Sequence, residues 1–158
     1  MKLLVIEGKE FDIVMKRRVK LNKICNDYGI LAVYIFGSMA EKVAVMLKDK
    51  KPEGINDPLA DIDVGVVFLK RPLSPDERIK LYGRLYSELS EVFLPCKLDL
   101  IFLQEAGVIL QFEAINGILV YSFDDDKRLE YEEQVIKFYQ DWKPDYDEYT
   151  KEVLEAIT

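Results

Sequence analysis

The sequence predicts an α/β (α+β) fold, a mixed central sheet flanked by helices, and three observations carry that expectation. Apolar runs of strand length alternate with segments of helical periodicity. Gly, Pro and polar clusters punctuate the joins between them. The chain of 158 residues suits one domain, long enough to bury most of the surface its unfolded form exposes.

Taken in order, residues 8–28 read as a helix. Phe11, Val14, Leu21, Ile24, Cys25 and Tyr28 fall near one face, and Gly29 follows as a C′ residue. Lys16, Arg17, Arg18, Lys20 and Lys23 read as a solvated basic face. Residues 31–36 form a buried-type strand that ends at Gly37-Ser38, and MAEKVAVMLKDK is helical in pattern. The polar KKPEGINDPLA is a loop, and residues 62–69 are a second strand, apolar on both faces as in a sheet interior.

Ser74, Pro75 and Glu77 give the next helix a capping box, with serine at N-cap, proline at N1 and glutamate at N3. Ile79, Tyr82, Leu85, Leu89 and Phe93 recur along it at helical spacing. KLDLIFL is a third strand, residues 105–115 a helix, and ILVYS a short fourth strand. The remainder reads as two helices broken at Trp142-Lys143-Pro144, with Tyr131, Val135, Phe138, Tyr139 and Trp142 as an apolar stripe. That stripe either packs on the domain or meets another protein.

Composition excludes several functions. Histidine is absent, so no His triad, His metal site or His general base is available. Cys25 and Cys96 fit neither a disulfide framework nor a zinc site. No apolar run reaches the length of a membrane span and the N-terminus does not read as a secretory signal, so a cytoplasmic location is expected. Residues 124–158 hold 5 basic and 12 acidic side chains, which accounts for the whole net charge of −7. An acidic tail on a balanced body argues against direct nucleic-acid binding and suits a solvated helical face or a basic protein partner.

Asp61 and Asp63 pose the chemical question, because residues two apart on a strand project to one face. Two ionised carboxylates that close repel each other, and burying them unpaired is costly. A divalent cation removes the difficulty, and oxygen donors of this kind suit Mg²⁺. Asp99 sits near the start of the third strand; if that strand lies beside the second, it joins the group. Three aspartates on two strands can hold two metals that clamp an in-line displacement. Gly37-Ser38, between strand and helix, offers free N–H groups and a hydroxyl to a phosphate. Each feature alone is commonly a turn or a cap; together they describe a nucleoside triphosphate site.

An apolar strand, Gly37-Ser38, a short helix, Asp61-Ile62-Asp63 on the next strand and Asp99 on a later one resemble the nucleotidyltransferase superfamily related to DNA polymerase β. LAVYIFGSMAEK and KLDLIFLQEAGVILQFEAINGILVYS look most like minimal nucleotidyltransferases of the MntA antitoxin type, partners of HEPN-domain toxins. The likeness covers nearly the whole chain, DYDEYTKEVLEAI included. One departure is the 22 residues, 39–60, between Ser38 and the aspartate pair, longer than is usual in the family. The extra loop reads as a surface extension or a substrate-selecting flap.

The resemblance implies a polymerase β-like fold in a single domain, 1–158, with a catalytic core over 1–123 and an acidic helical extension over 124–158. It implies transfer of AMP from ATP to a hydroxyl, typically a tyrosine of a HEPN toxin. Asp61, Asp63 and Asp99 would bind two Mg²⁺ ions, and Asp99 would also position or deprotonate the hydroxyl. Gly37 and Ser38 would hold the triphosphate. Two alternatives stand beside this. A small-molecule hydroxyl could be the acceptor, although only about 35 residues follow the last core strand to build a site for it. Or the chain could be a non-catalytic module that blocks a HEPN partner sterically, a role that needs none of the three aspartates.

Overall fold

The computed structural model describes residues 9–48, 61–71 and 74–157. Four strands form one sheet: β1 (Ile30–Phe36), β2 (Asp61–Phe68), β3 (Lys97–Phe102) and β4 (Ile118–Ser122), in the order β3-β2-β1-β4. β1 runs antiparallel to both β2 and β4, while β2 and β3 are parallel. The sheet is therefore mixed, as the sequence predicts. Both central strands are almost wholly buried, which explains their unbroken apolar runs: helices cover both faces.

On one face lie α1 (Lys9–Asp27), α2 (Ala40–Met46) and α3 (Pro75–Val92). They meet the inward residues of the strands in a core that includes Leu21, Cys25, Val43, Ile62, Val64, Leu85, Leu89 and Phe93. The other face carries α4 (Val108–Ile115) and α5 (Asp125–Ile157), packed over Ala32, Tyr34, Phe36, Val67, Leu103 and Ala114. Alternation along each strand divides the two sets, because successive side chains point to opposite faces.

Local signals account for most boundaries. Gly29 closes α1 in the left-handed region, φ +63°, as a C′ glycine should. Ser74 Oγ accepts from the Glu77 amide at 3.2 Å, the predicted cap of α3. β3 is an edge strand whose Leu100 carbonyl accepts from the Tyr82 hydroxyl at 2.9 Å. Gln104 lengthens the ladder at the far end of β2, its side-chain amide bonding both the N–H and the C=O of Phe68 at 2.8 and 3.0 Å.

Four expectations need correction. Ile79 is 65% exposed: six positions from Leu85 at 100° each place it about 120° round the helix from the buried stripe. Arg17 and Arg18 are half-buried ties rather than a solvated face, for Arg17 Nη1 donates to the Val92 carbonyl at 3.1 Å and Arg18 Nη1 to that of Val120. Residues 105–115 are not one helix; a 3-10 turn at Leu103–Glu105 precedes α4, whose N-cap is Gly107. The acidic remainder is one helix with Pro144 inside it. Proline removes a single N–H bond, and ring contacts span the position: Tyr139 tilted against Trp142 at 6.2 Å and Trp142 stacked on Tyr146 at 4.5 Å. The side chains of Phe11, Val14 and Lys16, and loop residues 49–60, lie outside the described residues.

The α4–β4 turn is the tightest joint near the end of β1. A Cβ on Gly117 would sit 2.5 Å from the Ile35 carbonyl oxygen and 2.8 Å from Phe36 Cβ. Backbone cannot yield as a flexible side chain does, so Gly117→Ala should lower unfolding stability by about 1–3 kcal/mol in urea titration, as overpacking does. An unchanged midpoint would mean that the turn relaxes freely.

Candidate active site

β1 is antiparallel to β2, so its C-terminal end lies beside the N-terminal end of β2, and the parallel β3 starts at that same edge. Register completes the arrangement. Phe36 is opposite Asp63, Asp63 is opposite Asp99, and Asp61 is opposite Lys97. The Gly-Ser corner directly follows Phe36, so the strands bring Gly37, Ser38, Asp61, Asp63 and Asp99 to one edge. All three aspartates project toward the α4–α5 side, the side shared by Tyr34, Phe36 and Val67.

Gly37 has φ +86°, a region that other residues rarely adopt. A Cβ there would lie 2.5 Å from Asp63 Oδ2, so any side chain would collide with the carboxylate. The conformation demands glycine, while the carboxylate, at the end of a flexible side chain, could move aside. Gly37 and Ser38 are exposed, and the Ala40 amide donates to the Gly37 carbonyl at 3.3 Å to shape the turn. α2 has only 7 residues and no side-chain cap at its start. So short a helix sums few peptide dipoles, and the corner's own amides and the Ser38 hydroxyl are left as the main anion donors.

Asp63 is the electrostatic centre. Burial holds its carboxyl above the ordinary range, and the charge of Asp99, a hydrogen bond with Asp99, and the charges of Asp61 and Glu113 push the same way. The donors are all carboxylate oxygens that repel one another, a chemistry that a hard dication relieves. Among the described residues, however, no three acidic or cysteine side chains are gathered at metal-holding spacing. The donor chemistry fits; the grouping is looser than a finished cage.

A cleft of about 550 Å³ opens beside the corner, lined by Phe36, Gly37, Ser38, Glu41, Glu113, Asn116 and Ile118 among others. Glu113, from α4, was not singled out from the sequence. Its helix carries no motif, and only the packing of α4 against β1 brings it to the cleft. Neither thiol is poised for chemistry: Cys96, just before β3, is buried and its thiol is pushed up by that burial against Arg17. Cys25 is buried and its thiol is pushed up to about 12 by that burial, with Arg18 opposing weakly.

Fold and edge together define the class: the chain belongs to the family Polymerase beta, Nucleotidyltransferase, which matches residues 19–126. Solved structures narrow the likeness. A toxin–antitoxin complex with AMP-PNP matches with TM-score 0.59 and 20% identity, over 87% of this chain and 98% of the other. The MntA–HepT toxin–antitoxin matches with TM-score 0.56 and 19% identity, over 89% and 98%. A complex of tri-AMPylated Shewanella oneidensis HEPN toxin with MNT antitoxin matches with TM-score 0.57 and 19% identity, over 89% and 98%. At such identity the likeness establishes the shared fold. No curated protein sequence matches the chain. Among the described residues, no helix is long and apolar enough to cross a membrane.

The raised Asp63 carboxyl has a definite sign. The folded chain holds this proton more tightly than the unfolded chain, so the contribution is full below the unfolded value of 3.8 and is lost as pH rises through the folded value. Asp63→Asn removes the penalty of the ionised form. Without divalent cation at pH 7, the variant should melt above the parent. The gap should narrow as pH falls toward 4. A variant that melts lower at pH 7 would contradict the account.

Proposed function

We propose that the chain is a Mg²⁺-dependent adenylyltransferase that moves AMP from ATP to a hydroxyl, a tyrosine of a HEPN toxin, and so serves as that toxin's antitoxin. The observation that carries this reading is the position of Asp63: opposite Asp99 across β2–β3, with its Oδ2 2.5 Å from where a Gly37 Cβ would sit. Phosphate donors and acids thereby meet at one edge. The structurally similar complexes add support, one described with AMP-PNP and one with a tri-AMPylated HEPN toxin.

In this reading Gly37 and Ser38 bind the triphosphate through backbone amides and the hydroxyl. Asp61, Asp63 and Asp99 would hold magnesium, which when bound supplies the positive charge that lets carboxylates and triphosphate share one edge. Asp99 orients the acceptor hydroxyl and takes its proton. The hydroxyl oxygen forms a bond to the α-phosphorus, the bond from that phosphorus to the bridging oxygen breaks, and pyrophosphate leaves. The cleft beside Ser38 gives the nucleotide room next to the corner. Residues 124–158 act as an extension to the catalytic unit.

The test incubates the chain with Mg²⁺, ATP labelled at the α-phosphate and the protein encoded by its neighbouring gene. Label should reach the partner, chelation should stop it, and Asp61→Asn/Asp63→Asn should slow transfer by about 10²–10³-fold or more, the scale of losing transition-state charge stabilisation. If no label transfers and the double variant still neutralises the toxin, steric blocking is the function.

A further inference from the structure

The long helix α5 carries a seam that outruns the body of the molecule. Arg128, Glu132, Val135, Tyr139 and Trp142 follow one another at spacings of four and three, a heptad pattern on one face. Over this first stretch the face is engaged. Glu132 accepts from the buried Tyr34 hydroxyl at 2.7 Å and from Arg128 at 2.9 Å, Val135 is 4% exposed, and the Tyr139 ring lies flat on Phe112 at 3.7 Å. The same spacing then continues through Tyr146, Tyr149 and Val153, which are 44%, 65% and 38% exposed. Isolated exposed apolar residues are ordinary; a continued heptad seam is not.

Charge says what covers it. Residues 141–157 carry six acidic and two basic side chains, and Asp145 and Glu152 stand at positions bordering the seam. A second copy would bring the same negative surplus against this one, and like charges along a paired seam are destabilising. A helix with apolar residues at the facing positions and lysine or arginine beside them satisfies both seam and charge.

We propose that the distal half of α5 is a docking surface for a cationic amphipathic helix on a partner protein. The inference rests on the proposed function only in taking a protein as the acceptor; the seam itself is independent of catalysis. From Trp142 to Ile157 it spans about 24 Å at 1.5 Å per residue, room for about two heptads of partner helix.

The test uses the full chain and two synthetic peptides of about three heptads, with leucine at the seam positions and either lysine or glutamate beside them. The lysine peptide should bind with micromolar affinity and the glutamate peptide at least tenfold more weakly. Binding should weaken in 0.5 M NaCl, where charges are screened within about 4 Å. Tyr149→Glu/Val153→Glu, both at exposed positions, should retain the parent's helix content and lose at least tenfold in affinity for the lysine peptide. Asp61→Asn/Asp63→Asn should bind it like the parent, so failed nucleotidyl transfer with this pattern intact would fell the transferase reading alone. Equal binding of both peptides, unchanged binding by the α5 variant, no binding at all, or a parent dimer that the α5 variant dissolves would each overturn the proposal.

Discussion

The acidic edge depends on the close approach of Asp63 to Gly37. The carboxylate oxygen lies 2.5 Å from where a Cβ would sit, beside a backbone at φ +86° that favours glycine. Such a contact cannot be made locally, because Gly37 ends β1 and Asp63 lies inside β2. It exists because antiparallel pairing sets Phe36 opposite Asp63, and parallel pairing then sets Asp99 on the far side. A one-residue slip of β2 would turn both aspartates into the apolar face beneath α1 and α3, and Ile62 and Val64 out of it. The burial of those two residues therefore fixes the acidic edge.

The edge works against the stability of the fold. Asp61, Asp99 and Glu113 all act on Asp63 in the same direction as its burial, and Asp63 responds by holding its proton more tightly. Tyr34, one face-neighbour away on β1, is handled differently: its hydroxyl is satisfied by Glu132, which is in turn paired with Arg128. The buried Tyr34 hydroxyl is compensated; at this edge the half-buried Asp63 stands between two exposed carboxylates, Asp61 and Asp99. That contrast within one sheet is the mark of a site shaped for something it binds.

Much of this was legible in the sequence. The Ser74 cap, the apolar β1 and β2 and the four-strand order of appearance all come from local rules, and Asp61-x-Asp63 states its own shared face through the period of a strand. What stayed hidden required partners distant in sequence. Glu113 reaches the cleft only through helix packing, and Arg17 and Arg18 look like surface charge until the carbonyls of Val92 and Val120 are placed beside them. Pro144 misleads for the opposite reason. The local rule of a broken helix is sound, yet the helix continues through it, with Trp142 stacked on Tyr146 across the proline and Tyr139 tilted against Trp142. The metal remains a matter of donor chemistry, since spacing between strands does not show how closely carboxylates gather.

The short helix α4 joins the two ends of the molecule's activity. Glu113 and Asn116 line the cleft, while their neighbours Gln111 and Phe112 hold α5: Gln111 Oε1 accepts from the Tyr131 hydroxyl at 2.7 Å, and Phe112 stacks on Tyr139. The wall of the cleft beside Ser38 and the base of the long helix are thus opposite sides of the same two turns. The distal part of α5 continues from a stretch footed on this wall through the Tyr139–Phe112 stack, so a partner docked there as proposed would be placed relative to Ser38 and Asp63 by packed rings. Were the acceptor another protein, as proposed, this would matter more than contact area. Holding a hydroxyl at a defined place converts a chance encounter into a near-unimolecular step, and a helix rooted beside the cleft would be a direct way to do so.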